Sequence, residues 1–371
     1  MRITKTHCDK YLHQKGRAMS AKVLFILKRK SSYAAQDPNN PIGLSTGLYN
    51  SATFVSDMLN DSGFESVTEI ANDNNDIDRL VTKHRPTHVI IEALWVVPEK
   101  FGVLTRLHPT VNWIVRLHSE TPFIANEGIA MKWIGDYVSY RNVSISCNSL
   151  RMYNEVSNYI ATSKQWCQLL VANKVIYLPN YYPLAVSKRP KFKKDKLDIS
   201  CFGAIRPLKN HLMQAMAAVQ FGDLIDCPIR FHINSGRIEG RGEPILSNLI
   251  EMFKHLEGSG HELVMHSWQD HAEFKELCSY MDIGMQVSFS ETFNIVAADM
   301  LSAGVPLVTS AEIPWASKIS VASPTEIDTI VEKLTLAYSF PRLNVWLNKR
   351  KLKKYLRKSR MYWIEYFSYY Q

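Results

Sequence analysis

Short apolar runs of strand length alternate along the chain with stretches whose apolar positions recur at helical spacing. In the first half, the runs at 23–27, 88–94, 111–117, 144–147 and 175–178 read as strands. Helices are expected over 49–59, 97–107, 127–140 and 150–161. The second half repeats the pattern, with strands at 197–202, 229–233, 263–266, 283–287 and from 307, and helices at 271–280, from 294, and at 326–338. Alternation of this kind predicts parallel sheets covered by helices. Residues 187–196 interrupt it. That segment is basic, turn-like and contains Pro190, and it is the best place for a domain boundary. The expected organisation is a polar extension (1–21), two α/β domains (22–186 and 187–340) and a tail (341–371).

The sharpest pattern lies between 283 and 308. A strand-length run is followed by a polar turn at 288–292 and a helical pattern from Asn294. Gly304 then suits a helix C-terminus, Pro306 blocks its continuation, and Leu307 and Val308 start another strand. Glu291 falls just before the helix, at the carboxyl end of a strand. Asp299 falls about two turns along, on roughly the same face. Free N–H groups and partial positive charge at the helix start suit a phosphate. A carboxylate on each side suits the vicinal hydroxyls of two sugars. Together they describe a sugar-nucleotide site, with Thr292, Phe293 and Asn294 as further donor contacts. Taken singly, Glu291 and Asp299 read equally as ordinary helix charges.

This stretch resembles the E-x7-E signature of retaining GT-B glycosyltransferases, a group that includes sucrose synthase and bacterial lipid mannosyltransferases. Glu291 matches the first acid, which in that family faces the transferred sugar. Asp299 matches the second, which binds the ribose, and is one methylene shorter. Asn294 stands where the family usually has Gly. The resemblance implies an α/β GT-B fold: two Rossmann-like domains facing across a cleft, with the last helix crossing back to the first domain. It also implies a catalytic part for His118, at the end of the 111–117 strand, where open α/β sheets place ligand groups. Gly203 and Lys209 keep the family spacing for a grip on the donor diphosphate. Arg206 lies two residues beyond the family's Arg slot, which is Ala204 here. Ser235 and Trp268 fall in loops facing the same crevice, and the family's nucleotide base sits near the second. Gly43 and Gly47 match the family's phosphate loop after the first strand, and read otherwise as turn residues.

Asp76-Ile77-Asp78 has the spacing of the metal-binding DxD motif of the other main glycosyltransferase fold. No strand is read directly before it, and both acids suit the first turn of a helix running to Lys83, so no metal is assigned. The implied reaction is a front-face transfer in which the leaving diphosphate, held by Lys209 and Arg206, takes the acceptor's proton. It requires no cofactor and no metal, and the nucleotide sugar is a substrate.

Composition narrows the class. A hydrophobic content of 46% and a charged content of 21% over 371 residues exclude a disordered chain. No apolar run approaches the ~20 residues of a membrane helix. The first 21 residues lack the apolar core of a signal peptide, which points to a cytoplasmic protein, in the host cytoplasm if the chain is viral. The 6 cysteines lie singly and suggest neither a disulfide framework nor zinc. The net charge of +9 favours an anionic partner. Much of it sits at 349–360, where Lys353, Lys354, Arg357 and Lys358 offer a basic surface among aromatics expected to pack. A merely solvated basic face is the plain alternative. One acceptor this suits is a hydroxymethylated base in DNA, as with similar phage enzymes. The rival is a saccharide- or lipid-linked acceptor at an anionic membrane face. A non-catalytic nucleic-acid-binding protein on the same fold is the alternative from another class, and Glu291, Asp299 and Lys209 argue against it.

Overall fold

The structure is a computed structural model and describes residues 21–29, 47–185 and 194–368. Six strands form the first sheet: β1 (Lys22–Lys28), β2 (Glu65–Ala71), β3 (His88–Glu92), β4 (Asn112–Leu117), β5 (Val143–Cys147) and β6 (Val175–Tyr177). They pair in parallel in the order β2-β1-β3-β4-β5-β6. Five strands form the second: β7 (Leu197–Ser200), β8 (Ile229–Asn234), β9 (Glu262–His266), β10 (Ile283–Gln286) and β11 (Leu307–Thr309). These are also parallel, in the order β11-β10-β7-β8-β9.

Parallel strands covered on both faces are apolar throughout, and β3 is buried at every position. Successive side chains alternate between faces. Leu24, Ile26, Val89 and Ile91 enter one core beneath the helices, while Val23, Phe25 and Ile90 enter another. That second core is closed by Trp363 and Phe367 from the far end of the chain.

Those two residues belong to the last helix, Pro341–Ser368, whose 28 residues span about 42 Å at ~1.5 Å per residue. Its start packs on the second sheet, where the Asn344 side chain exchanges two hydrogen bonds of 2.9 Å with the backbone of Leu307. Leu352 and Leu356 lie in a core shared with Tyr182, Phe293 and Trp315. Its end packs on the first sheet, where Trp363 Nε1 donates to the Pro179 carbonyl at 2.8 Å. The helix therefore crosses back and straps the two halves together.

Several elements are absent from the pattern-based reading, among them strand β2 and the helices His211–Leu224 and Glu243–His255. Strand β2 carries Glu65, Ser66, Thr68 and Glu69 on a sheet edge and shows no apolar run. The helix Glu243–His255 follows a glycine-rich turn. Strand β2 also corrects the ground on which the DxD motif was set aside, because a strand does precede it. The two aspartates nonetheless lie in the first turn of the helix Asp76–His84. Asp76 accepts from the Asn72 amide at 2.8 Å and pairs with Arg79, while Asp78 bonds His108 at 2.7 Å.

Candidate active site

In an open parallel sheet the ligand crevice opens beyond the carboxyl ends of the strands, where the strand order reverses. The first sheet reverses between β1 and β3, the second between β7 and β10. Gly203 and Lys209 follow β7, and Glu291 follows β10, so the second reversal brings them together. Lys209 Nζ lies 2.5 Å from Glu291 Oε1, with the two side chains only 10% and 8% exposed. Gly203 has φ +119°, a backbone conformation that favours glycine, and its Cα side lies in ordinary contact range of the Lys209 stem. The Gly203 amide donates to Asn234 Oδ1 at 2.9 Å, which ties this turn to the end of β8.

Beside the pair starts the helix Ile295–Ser302. Its N-cap, Asn294, has φ 65° and accepts from the Ala297 amide at 2.8 Å. Left-handed backbone is tolerated by glycine and, among other residues, best by asparagine. The Asn that departs from the resembled family thus meets the same backbone demand. The first-turn amides of Ile295 and Val296 have no acceptor within the helix, and a helix start of this kind suits an anion. Phe293 is placed differently from its reading as a donor contact. Its ring is buried against Trp315 and Tyr355, because an apolar ring here gains more from the core than from the crevice.

The first domain closes over this region. Thr292 Oγ1 donates to the His118 carbonyl at 3.2 Å and accepts from Asn148 Nδ2 at 3.2 Å. Arg206 reaches across the cleft, its guanidinium 4.9 Å from the Phe123 ring centroid, and approaches Glu239 at 3.6 Å. A Cβ added at Gly47, in the helix Gly47–Asn60, would lie 4.0 Å from Ile295 Cδ1. Gly43 lies outside the described residues.

His118 lies two residues before Glu120, which holds Arg151 at 2.9 Å. Its partner is Glu92, the last residue of β3, through Nε2. Glu92 is fully buried and also meets Arg116 at 3.1 Å, and Arg116 in turn donates to Asn180 at 2.6 Å. Burial alone would raise the Glu92 carboxyl, but Arg116 and His118 outweigh it and hold the group below the ordinary carboxylate range. Burial pushes the His118 imidazole down. Glu92 is thus ionised and His118 neutral near pH 7, with the Nε2–H donated to the carboxylate. Sequence reasoning missed Glu92, whose signal was a lone acid closing an apolar strand at the first reversal point.

Asp299 is 1% exposed, and its Oδ1 accepts from Tyr182 and from His271 Nε2, both at 2.8 Å. The His271 side chain is 25% exposed, against 2% for that of Asp299. Ser235 bonds its amide to the His266 carbonyl at 2.9 Å. Trp268 lies under the Arg237 guanidinium, 5.0 Å from its centroid. Lys353, Lys354, Arg357 and Lys358 are all exposed along the last helix, away from these residues in sequence. Among the described residues, no group of three or more metal-ligating side chains is found.

No family model and no curated protein sequence matches the chain. Solved structures do match its fold. A UDP-forming α,α-trehalose-phosphate synthase from Burkholderia vietnamiensis aligns with TM-score 0.66 and 9% identity, over 95% of this chain and 98% of that one. Anabaena HepE, in complex with UDP and glucose, aligns with TM-score 0.61 and 11% identity, over 94% and 99%. A point mutant of S. aureus TarM, in complex with fondaparinux, α-GlcNAc-glycerol and UDP, aligns with TM-score 0.55 and 11% identity, over 76% of this chain and 55% of that one. The chain has the GT-B fold.

Proposed function

We propose that this protein is a glycosyltransferase that moves a sugar from a nucleotide-sugar donor to a hydroxyl acceptor, with retention at the anomeric carbon. The observation that carries the reading is the meeting of Lys209 and Glu291 at the β7/β10 reversal, beside a helix N-terminus with free amides. Lys209 and those amides suit a diphosphate, and Glu291 suits the sugar next to it. HepE and TarM were solved with UDP, which supports a uridine nucleotide as the donor's carrier.

The carboxylates around the crevice are engaged: Glu291 with Lys209, Glu92 with Arg116 and His118, Glu120 with Arg151, and Asp299 with Tyr182 and His271. This favours a front-face reaction over a covalent glycosyl intermediate. The acceptor oxygen attacks the anomeric carbon, the bond to the diphosphate breaks, and its electron pair leaves with the nucleotide. The diphosphate takes the acceptor's proton, while Lys209 and Arg206 stabilise its growing charge. The ribose role of Asp299 passes to the Asp299–His271 pair, since His271 bonds that carboxylate and is the more exposed of the two.

Two acceptor classes fit a basic surface: a hydroxyl on DNA, or one on a lipid-linked or saccharide acceptor at an anionic membrane. The cations of the last helix serve either. Exposed apolar side chains on either side of them, Leu343 and Trp346 before and Met361 after, favour the second. Glu291→Ala tests the catalytic assignment. Transfer should be abolished in a protein that melts like the parent, and turnover at the parental rate would remove Glu291 from the chemistry.

A further inference from the structure

The last helix buries one face, from Asn344 through Leu352 and Leu356 to Phe367, and among the described residues the opposite face is left exposed. Helical spacing brings Leu343, Trp346, Arg350, Lys354, Arg357 and Met361 onto that outer face. Leu343 is 45% exposed, Trp346 55% and Met361 42%. Phe340, at the helix start, is 54% exposed, and Tyr362, near its other end, 42%. Between the apolar ends lies a cationic centre, and Glu365 is the helix's only acid. Among the described residues, Lys353, Lys354, Arg357 and Lys358 form no ion pair, and the Arg350 guanidinium lies over the Trp346 ring at 5.7 Å.

A fold gains nothing by leaving large apolar side chains in water. A partner that is only polyanionic would satisfy the cations and leave Leu343, Trp346 and Met361 unused. A phospholipid surface uses both: side chains of this size enter the boundary of the acyl region, while Lys and Arg remain at the headgroups. We infer that this face docks the protein on an anionic phospholipid membrane, with the helix lying along the surface. No helix of the described residues is long and apolar enough to cross the bilayer, so the docking is peripheral.

The inference is independent of the donor chemistry, and its test contains no nucleotide. The full chain is mixed at low salt with vesicles of phosphatidylcholine alone, or of phosphatidylcholine with phosphatidylserine, and bound protein is separated by flotation. Binding is expected only with phosphatidylserine. Replacing Lys353, Lys354, Arg357 and Lys358 by Gln should reduce it by roughly fivefold per cation. Trp346→Ala should weaken it several-fold while leaving its salt dependence intact, because that side chain acts through apolar contact. All five side chains are exposed or half-exposed, so the melting temperatures should match the parent's. A folded protein that ignores phosphatidylserine vesicles overturns the inference. So does Trp346→Ala binding as the parent does. Binding of duplex DNA but not vesicles, with log affinity falling linearly in log salt, would assign the face to nucleic acid instead.

Discussion

Lys209 and Glu291 stand 82 positions apart and meet at 2.5 Å. Each side chain was readable on its own, because each has an unusual place: a cation opening a helix, and an acid closing a strand. Their pairing was not, since it depends on which strands lie side by side. The pair also sets what a substitution does. Lys209→Met removes the cation proposed to hold the diphosphate and leaves Glu291 poorly exposed and unpaired, which costs stability by itself. Comparing Lys209→Met with the Lys209→Met/Glu291→Gln double variant separates the two effects. Both should bind a nucleoside diphosphate about tenfold or more weakly, since a charge-assisted hydrogen bond contributes ~1.5–3 kcal/mol. Both should bind the nucleoside as the parent does, and only the single variant should melt lower. Equal losses for nucleoside and nucleoside diphosphate, read by calorimetry, would argue against a phosphate role. Glu92 shows the opposite limit of sequence reading. A single acid after Val89, Ile90 and Ile91 looks like the end of a strand, and its link to His118 exists only once β3 and β4 are paired.

At the scale of elements, the helix Ile295–Ser302 was legible because local rules agree there. A strand-length run, a polar turn, a capping Asn, and then Gly304 at φ +81° and Pro306 all mark its boundaries. The edge strand β2 was not legible, because its polar positions carry no apolar run and its place is fixed only by pairing with β1. The tail's aromatics were only half legible. Trp363 and Phe367 pack as expected and Tyr362 sets one edge against the Tyr177 ring at 5.0 Å, but Trp346 stays largely in solvent. Helical spacing gives the faces of a helix without saying which face a neighbouring domain covers. Asn294 allows a direct test of the element's design. Asn294→Gly keeps the left-handed backbone accessible and loses the cap together with the Nδ2 hydrogen bond to Gln286 Oε1 at 2.8 Å. Asn294→Ala loses the same two and strains the backbone, so it should cost about 1–2 kcal/mol more than the glycine variant. Urea unfolding of the two variants checks this, and equal losses would show that backbone conformation is not what selects Asn here.

The whole molecule is two parallel sheets whose carboxyl ends face each other, with Thr292 bonded to His118 across the cleft and Asp299 bonded to Tyr182. The strap Pro341–Ser368 ties the halves together by burying one face on both. Strand–helix alternation foretold the sheets, and the break at 187–196 separates them, although 186–193 fall outside the described residues. Every part of the functional reading converges on a nucleotide sugar held at the β7/β10 reversal. The most direct measurement is to incubate the purified chain with a panel of nucleotide sugars and to follow each by mass spectrometry for hydrolysis or transfer. The account predicts that at least one donor is consumed with release of its nucleoside diphosphate, and that Glu291→Ala stops the consumption. A folded protein that neither binds nor consumes any donor in the panel, while the same assay detects a known glycosyltransferase, would contradict it.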